Sequence, residues 1–148
     1  MQQHIALPLI ICLAALTTLL FAPFAQANKY EESPLDPIYQ MVEAKQYSEA
    51  IAKLEAMLSD DAENADVLSL MGYSYRKQQQ FDQALVYYQR ALAIDPEHRA
   101  ANEYLGQLYL ETRQLDKAKE RLAVLDSACF LPCREFSSLE RAIMDYQE

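Results

Sequence analysis

Only two glycines, Gly72 and Gly106, occur among the 148 residues, and tryptophan is absent. So little glycine excludes a Gly-rich phosphate loop and fits a helical chain with few irregular turns. No Lys, Arg, Asp or Glu precedes Lys29, so the whole formal charge of −9 falls on the rest of the chain. That acidic balance argues against nucleic acid or anionic lipid as a partner, since both need clustered Lys and Arg to release counterions. After His4 the one remaining histidine is His98, in the turn Asp95-Pro96-Glu97-His98, with no Cys, Ser or second His beside it. It reads as a turn residue, not an acid–base or nucleophilic group. No zinc-ligand spacing is present, and the pairs Glu31-Glu32 and Asp60-Asp61 fall where helices begin or end, as solvated caps do. The residues therefore argue for no enzyme, no cofactor and no small-molecule substrate.

What is present begins with an apolar run from Ile5 to Phe24, closed by Ala25-Gln26-Ala27. A small-x-small ending after such a run predicts a secretory signal peptide over 1–27, cut after Ala27. The alternative is an uncleaved anchor, which about 20 apolar residues are long enough to form, and it would be the chain's one route to a membrane. Cys12 lacks the small residue before it that lipid attachment needs. Residues 28–34 carry no helical pattern and read as a flexible lead-in. Asp36-Pro37 is then a helix start, Asp as the cap and Pro in the first turn.

The strongest signal is a fixed period. Leu68, Met71, Gly72 and Tyr75 share one helical face, and after the polar Lys77-Gln78-Gln79-Gln80 so do Phe81, Ala84, Tyr88 and Ala91, until Asp95-Pro96 stops the second helix. Tyr47, Ala50, Leu54 and Met57 stand 34 residues before Phe81, Ala84, Tyr88 and Ala91. Leu115, Ala118, Leu122 and Leu125 stand 34 after, and Gly72 and Tyr75 recur as Gly106 and Tyr109. One helix pair cannot cover its own apolar face, so such units stack into a continuous core. Small Gly72 and Ala84 are expected where the helices cross closely.

Gly72, Tyr75, Ala84, Tyr88, Ala91 and Pro96 resemble the tetratricopeptide repeat signature, with Leu68 where that family places Trp. The resemblance implies an all-α, right-handed solenoid of about three helix pairs (31–64, 65–98 and 99–132, within a repeat region 35–132). A capping helix over 133–148 follows, with Phe136, Leu139 and Ile143 on one face. In this family the first helix of each repeat lines a concave surface that binds protein segments. The residues of this chain that fall there are Leu35, Tyr39, Val42 and Glu43, then Asp66, Ser69, Tyr73, Arg76 and Lys77, then Glu103, Gln107, Leu110 and Glu111. Some relatives hold a chaperone's terminal carboxylate with Lys, Asn and Arg; that set is missing here. Tyr75, Tyr88 and Tyr109 are expected in the core, Tyr39 and Tyr73 in the groove.

Past the apolar leader only Cys129 and Cys133 remain, joined by Phe130-Leu131-Pro132. In an oxidising compartment thiols this close pair, and a structural disulfide would pin the capping helix. Two other readings stay open: a redox pair, although its spacing has three intervening residues, and a soft-metal site for Cu(I) with Met144 or His98. Taken together, the chain is expected to be an exported, periplasmic adaptor or assembly factor of a Gram-negative bacterium, binding a protein or peptide. Thiol or copper handling, or self-association through tyrosine-rich faces, are the competing functions.

Overall fold

The computed structural model describes residues 33–146: seven helices and, among the described residues, no strand. They are α1 (Asp36–Glu43), α2 (Tyr47–Asp60), α3 (Ala65–Lys77), α4 (Phe81–Ile94), α5 (Arg99–Glu111), α6 (Leu115–Ala128) and α7 (Arg134–Met144). The expected signal segment 1–27, and with it residues 28–32 of the lead-in, lie outside the described residues. No described helix is long and apolar enough to cross a membrane. The helices pair as α1/α2, α3/α4 and α5/α6, each pair packs on the next, and α7 packs on both α5 and α6. This is the all-α helical-repeat fold that the period predicts.

The 34-residue period reaches into the backbone of the turns. Lys45, Gln79 and Arg113 each adopt the left-handed region, with φ of 60°, 61° and 58°. In each turn the next residue's N–H reaches back to the third residue from the helix end: Gln46 to Met41 (2.8 Å), Gln80 to Tyr75 (3.0 Å) and Gln114 to Tyr109 (2.7 Å). This is the Schellman closure that most helices complete with glycine. Here long polar side chains hold the position at a steric cost, and both glycines are used elsewhere.

They are used for packing. A Cβ on Gly72 would stand 2.6 Å from the ring of Tyr88, a fully buried residue of α4. The partner of Gly72 is thus the Tyr88 ring, with Ala84 beside it in the core. Gly106 repeats the arrangement with a different partner: its nearest side chain is Leu139 of α7, with Cδ2 2.4 Å from an added Cβ. In the third pair the position 34 after Tyr88 is Leu122, a shorter side chain, and α7 supplies the cover.

Ala50, Ala84 and Ala118, 34 residues apart, are all fully buried, as are Leu54, Tyr88, Leu125 and Leu139. Each large apolar side chain so buried contributes about 1.5–3 kcal/mol before conformational entropy is set against it. Leu35, Ile38, Ala50, Ile51, Leu54, Val67, Leu70 and Met71 form one cluster, which Val42 and Tyr75 flank. Ala84, Tyr88, Leu105 and Leu108 continue it across α4 and α5.

The linkers between pairs follow the same period. Asp61 Oδ1 accepts from the Glu63 N–H (3.2 Å) and Asp95 Oδ1 from the Glu97 N–H (3.1 Å). Asn64 caps α3 by accepting from the Val67 N–H, and His98, 34 residues later, caps α5 through Nδ1 from the Ala101 N–H, both at 3.1 Å. His98 is therefore more than a turn residue. With Nδ1 accepting, its proton sits on Nε2, which reaches the Asp66 carboxylate at 3.0 Å and ties two repeats together. Asp36, expected as the cap of α1, instead accepts from the Ser33 N–H at 2.8 Å, and Leu35 is the N-cap.

Two substitutions separate these roles. Gly72→Ala forces a methyl into the Tyr88 ring and is expected to cost about 1–3 kcal/mol. Gln79→Gly relieves the left-handed backbone and is expected to stabilise by about 0.5–1 kcal/mol, the extra freedom of the unfolded glycine offsetting part of the gain. Urea unfolding checks both: the midpoint falls in the first variant and rises in the second.

Candidate functional site

The odd-numbered helices share one face. Tyr73, Arg76 and Lys77 of α3, Glu103, Tyr104 and Gln107 of α5, and Arg134 and Ser138 of α7 line a depression of about 310 Å³. A neighbouring one of about 420 Å³ is lined by Gln107, Leu110, Glu111, Ser138, Arg141, Ala142 and Asp145. Tyr39 of α1 faces the same space: the charges of Asp66 and Arg134 both act on its phenol, and Arg134 also acts on Tyr104 and Glu103. The N-terminal turn of α7 thereby adds a cation to a groove otherwise built by α1, α3 and α5.

Tyrosine forms its floor. The Tyr73 and Tyr104 rings meet with centroids 4.8 Å apart, tilted by 55°, and Tyr104 in turn lies 6.3 Å from the buried Tyr88. Arg76 Cζ and Lys77 Nζ each lie 5.4 Å from the centroid of Tyr73, within cation–π range. Burial pushes the phenol of Tyr104 up to about 12, with Glu103, Tyr73 and Tyr39 adding to the rise and Arg134 opposing it. Burial raises Tyr73 as well, against the pull of Arg76, and raises Tyr39, helped by Asp66 and Asp36. The Glu103 carboxyl is raised by burial, with Ser138 acting against the rise, and it accepts a hydrogen bond from Gln107 at 2.9 Å.

Of the residues expected on this surface, Tyr73, Lys77, Gln107 and Leu110 line it, and Tyr39 stands 45% exposed at its α1 side. Asp66 is exposed but sits at the rim, with His98. Arg76 and Glu103 line the groove as buried groups, with residues only 3% and 7% exposed. The Arg76 guanidinium is paired with Glu111, which stays half-exposed. Their charges shape the surface from beneath.

Two expectations are corrected. Val42 packs against the first core cluster, and Ser69 is buried with its hydroxyl unpartnered, so neither offers the groove a contact. Both follow from helix geometry: the face that packs on the preceding pair takes them in. Tyr104, Arg134 and Ser138 were missed. Tyr104 is one turn before Gln107 on the same helix, and Arg134 and Ser138 are one turn apart on α7, so treating the last helix as the opening half of a fourth repeat would have found them.

Tyr75, expected in the core, stacks on Tyr87 with centroids 5.3 Å apart and planes at 6°, only half-buried, as is Tyr109; Tyr88 is the fully buried member. Cys129 and Cys133 stand with sulfurs at disulfide bonding distance and Cα atoms 5.8 Å apart. Among the described residues no cluster of His, Cys, Asp and Glu could hold a metal ion.

Residues 65–98 match the family model for the tetratricopeptide repeat. No curated protein matches the sequence. In fold, the chain resembles the Yersinia enterocolitica type III secretion translocator chaperone SycD. Against SycD solved in complex with a peptide of the translocator YopD, the TM-score is 0.63 at 15% identity over 74% of this chain and 83% of that one. Against SycD by itself it is 0.62 at 16% identity, over 73% and 74%.

A raised phenol favours the folded state only while it stays protonated in both states. The contribution of Tyr104 is thus complete below the unfolded value near 10 and is lost as pH rises from there towards about 12. The urea midpoint is expected to fall between pH 9 and pH 11, and Tyr104→Phe to make that fall shallower; equal slopes in the two proteins would contradict the assignment.

Proposed function

We propose that this chain is an exported adaptor that binds a segment of another protein in the groove lined by α1, α3, α5 and α7. The observation that carries the reading is the tyrosine floor, Tyr39, Tyr73 and Tyr104, held by rigid helices, with Lys77 exposed at its edge. Tyrosine offers large contact area with few torsions to freeze, and a preformed groove spares the binding side its ordering cost. The mechanism is passive: no bond is made or broken. The repeat match and the fold shared with a chaperone solved with a bound translocator peptide support a non-enzymatic binding module.

Export to the periplasm of a Gram-negative bacterium is proposed from residues 1–27 and the cysteine pair. The service as adaptor or assembly factor is our reading of so small an array. Copper handling is not favoured, because sulfurs bonded to each other leave no thiolate for Cu(I). Self-association through tyrosines is not favoured either, since Tyr75 and Tyr87 are spent on each other and Tyr88 is buried.

Random dodecamer peptides displayed on phage, panned against the purified protein, test the reading. Enrichment of peptides with aromatic or aliphatic anchors is expected. Tyr73→Ala should weaken a selected peptide tenfold or more, about 1.4 kcal/mol, with an unchanged melting temperature. Absence of any enrichment, or peptides indifferent to Tyr73, would remove the groove as the binding site. Protein recovered from the periplasm should begin at Asn28, as its intact mass will tell.

A further inference from the structure

The linker between α6 and α7 departs from the two before it. It has five residues, 129–133, where the others have four. Cys133 is the N-cap of α7 but makes no side-chain cap hydrogen bond, whereas Asn64 and His98 do at α3 and α5. Its solvent-facing residues are Phe130 and Leu131, 101% and 72% exposed, where the earlier linkers carry Ala62-Glu63 and Pro96-Glu97. What ties it is sulfur. Cys129 is the C-cap of α6 and Cys133 the N-cap of α7, so one covalent bond stands where the earlier linkers have side-chain hydrogen bonds.

The bond is reachable and what it holds is weakly held otherwise. Both cysteines are partly exposed, beside a shallow depression lined by Asp126, Phe130, Leu131, Pro132 and Phe136. As the last element, α7 packs on α5 and α6, and it buries one side chain completely, Leu139 over Gly106. It also brings Arg134 and Ser138 to the groove.

The geometry points to Cys129–Cys133 as a thiol–disulfide exchange site for a dithiol protein, acting as a latch on α7. With the bond closed, Leu139 is held over Gly106 and the groove has its α7 wall. With it open, α7 detaches and the other helices remain folded. In the exchange a thiolate of the partner attacks one sulfur, the S–S bond breaks, and the other cysteine leaves as a thiolate and takes a proton. The partner's second thiol then resolves the mixed disulfide, so two electrons and two protons pass to the cysteine pair and the partner ends as a disulfide. Phe130 and Leu131, adjacent to the attacked sulfurs, give such a partner an apolar surface to dock on. The consequence for the groove rests on the peptide-binding reading; the latch itself does not, because the test reads α7 directly.

The test is hydrogen–deuterium exchange of the chain, oxidised and then reduced with dithiothreitol, alongside a Cys129→Ser/Cys133→Ser variant. Amides of 134–144 are expected to exchange at least tenfold faster in the reduced protein and in the variant, with α3 and α4 unchanged. Equal exchange of α7 in both states overturns the latch. So does loss of protection throughout the chain, which would make the bond a staple of the whole fold. Thioredoxin serves as the protein probe: Phe130→Ser/Leu131→Ser should slow its reduction of the bond at least fivefold while leaving the dithiothreitol rate unchanged. An unaltered thioredoxin rate overturns the assignment to a protein partner.

Discussion

The contact that the rest depends on is the seating of a bulky side chain on a glycine where two helices cross: Tyr88 on Gly72, Leu139 on Gly106. Each helix pair has an apolar face it cannot cover alone, and these two positions set how closely the cover can approach. In the middle repeat the cover comes from within the pair. In the last one it comes from α7, because α6 has Leu122 where α4 has Tyr88, and the array is closed by a helix that belongs to no pair.

That closure has a functional consequence. The faces of α1, α3 and α5 turned to the groove carry aromatic and charged residues together, and burying charge beneath such a surface demands partners. Arg76 meets Glu111, and Glu103 accepts from Gln107, so the floor rests on satisfied charges and its rings are held in place. Once α7 is seated for packing, its Arg134 and Ser138 fall on the same floor. Core and site thus share one determinant, the docking of the last helix.

Much of the fold was legible in the chain, because a 34-residue period is repeated in the core alanines Ala50, Ala84 and Ala118, in the caps Asn64 and His98, and in the turns at Lys45, Gln79 and Arg113. The caps and turns could not be read from composition: histidine is an unusual cap, and none of the three turn residues is glycine. The groove was only partly legible. Helical spacing assigns Tyr39, Tyr73, Lys77, Gln107 and Leu110 to one face, but it cannot separate a residue that lines the groove from one turned into the preceding repeat. Val42 and Ser69 fell on the wrong side of that boundary. Tyr104, Arg134 and Ser138 escaped because the contribution of α7 arises from tertiary packing and has no counterpart in the period.

The central claim is that one face, floored by Tyr39, Tyr73 and Tyr104, receives the partner. The most direct measurement is a titration of ring-labelled tyrosine resonances with a peptide that binds the protein. The account predicts that Tyr39, Tyr73 and Tyr104 shift together and saturate at one stoichiometric equivalent, while Tyr87, which is occupied by its stack with Tyr75, stays in place. Shifts confined to Tyr75, Tyr87 and Tyr109, with the three groove tyrosines unmoved, would contradict it.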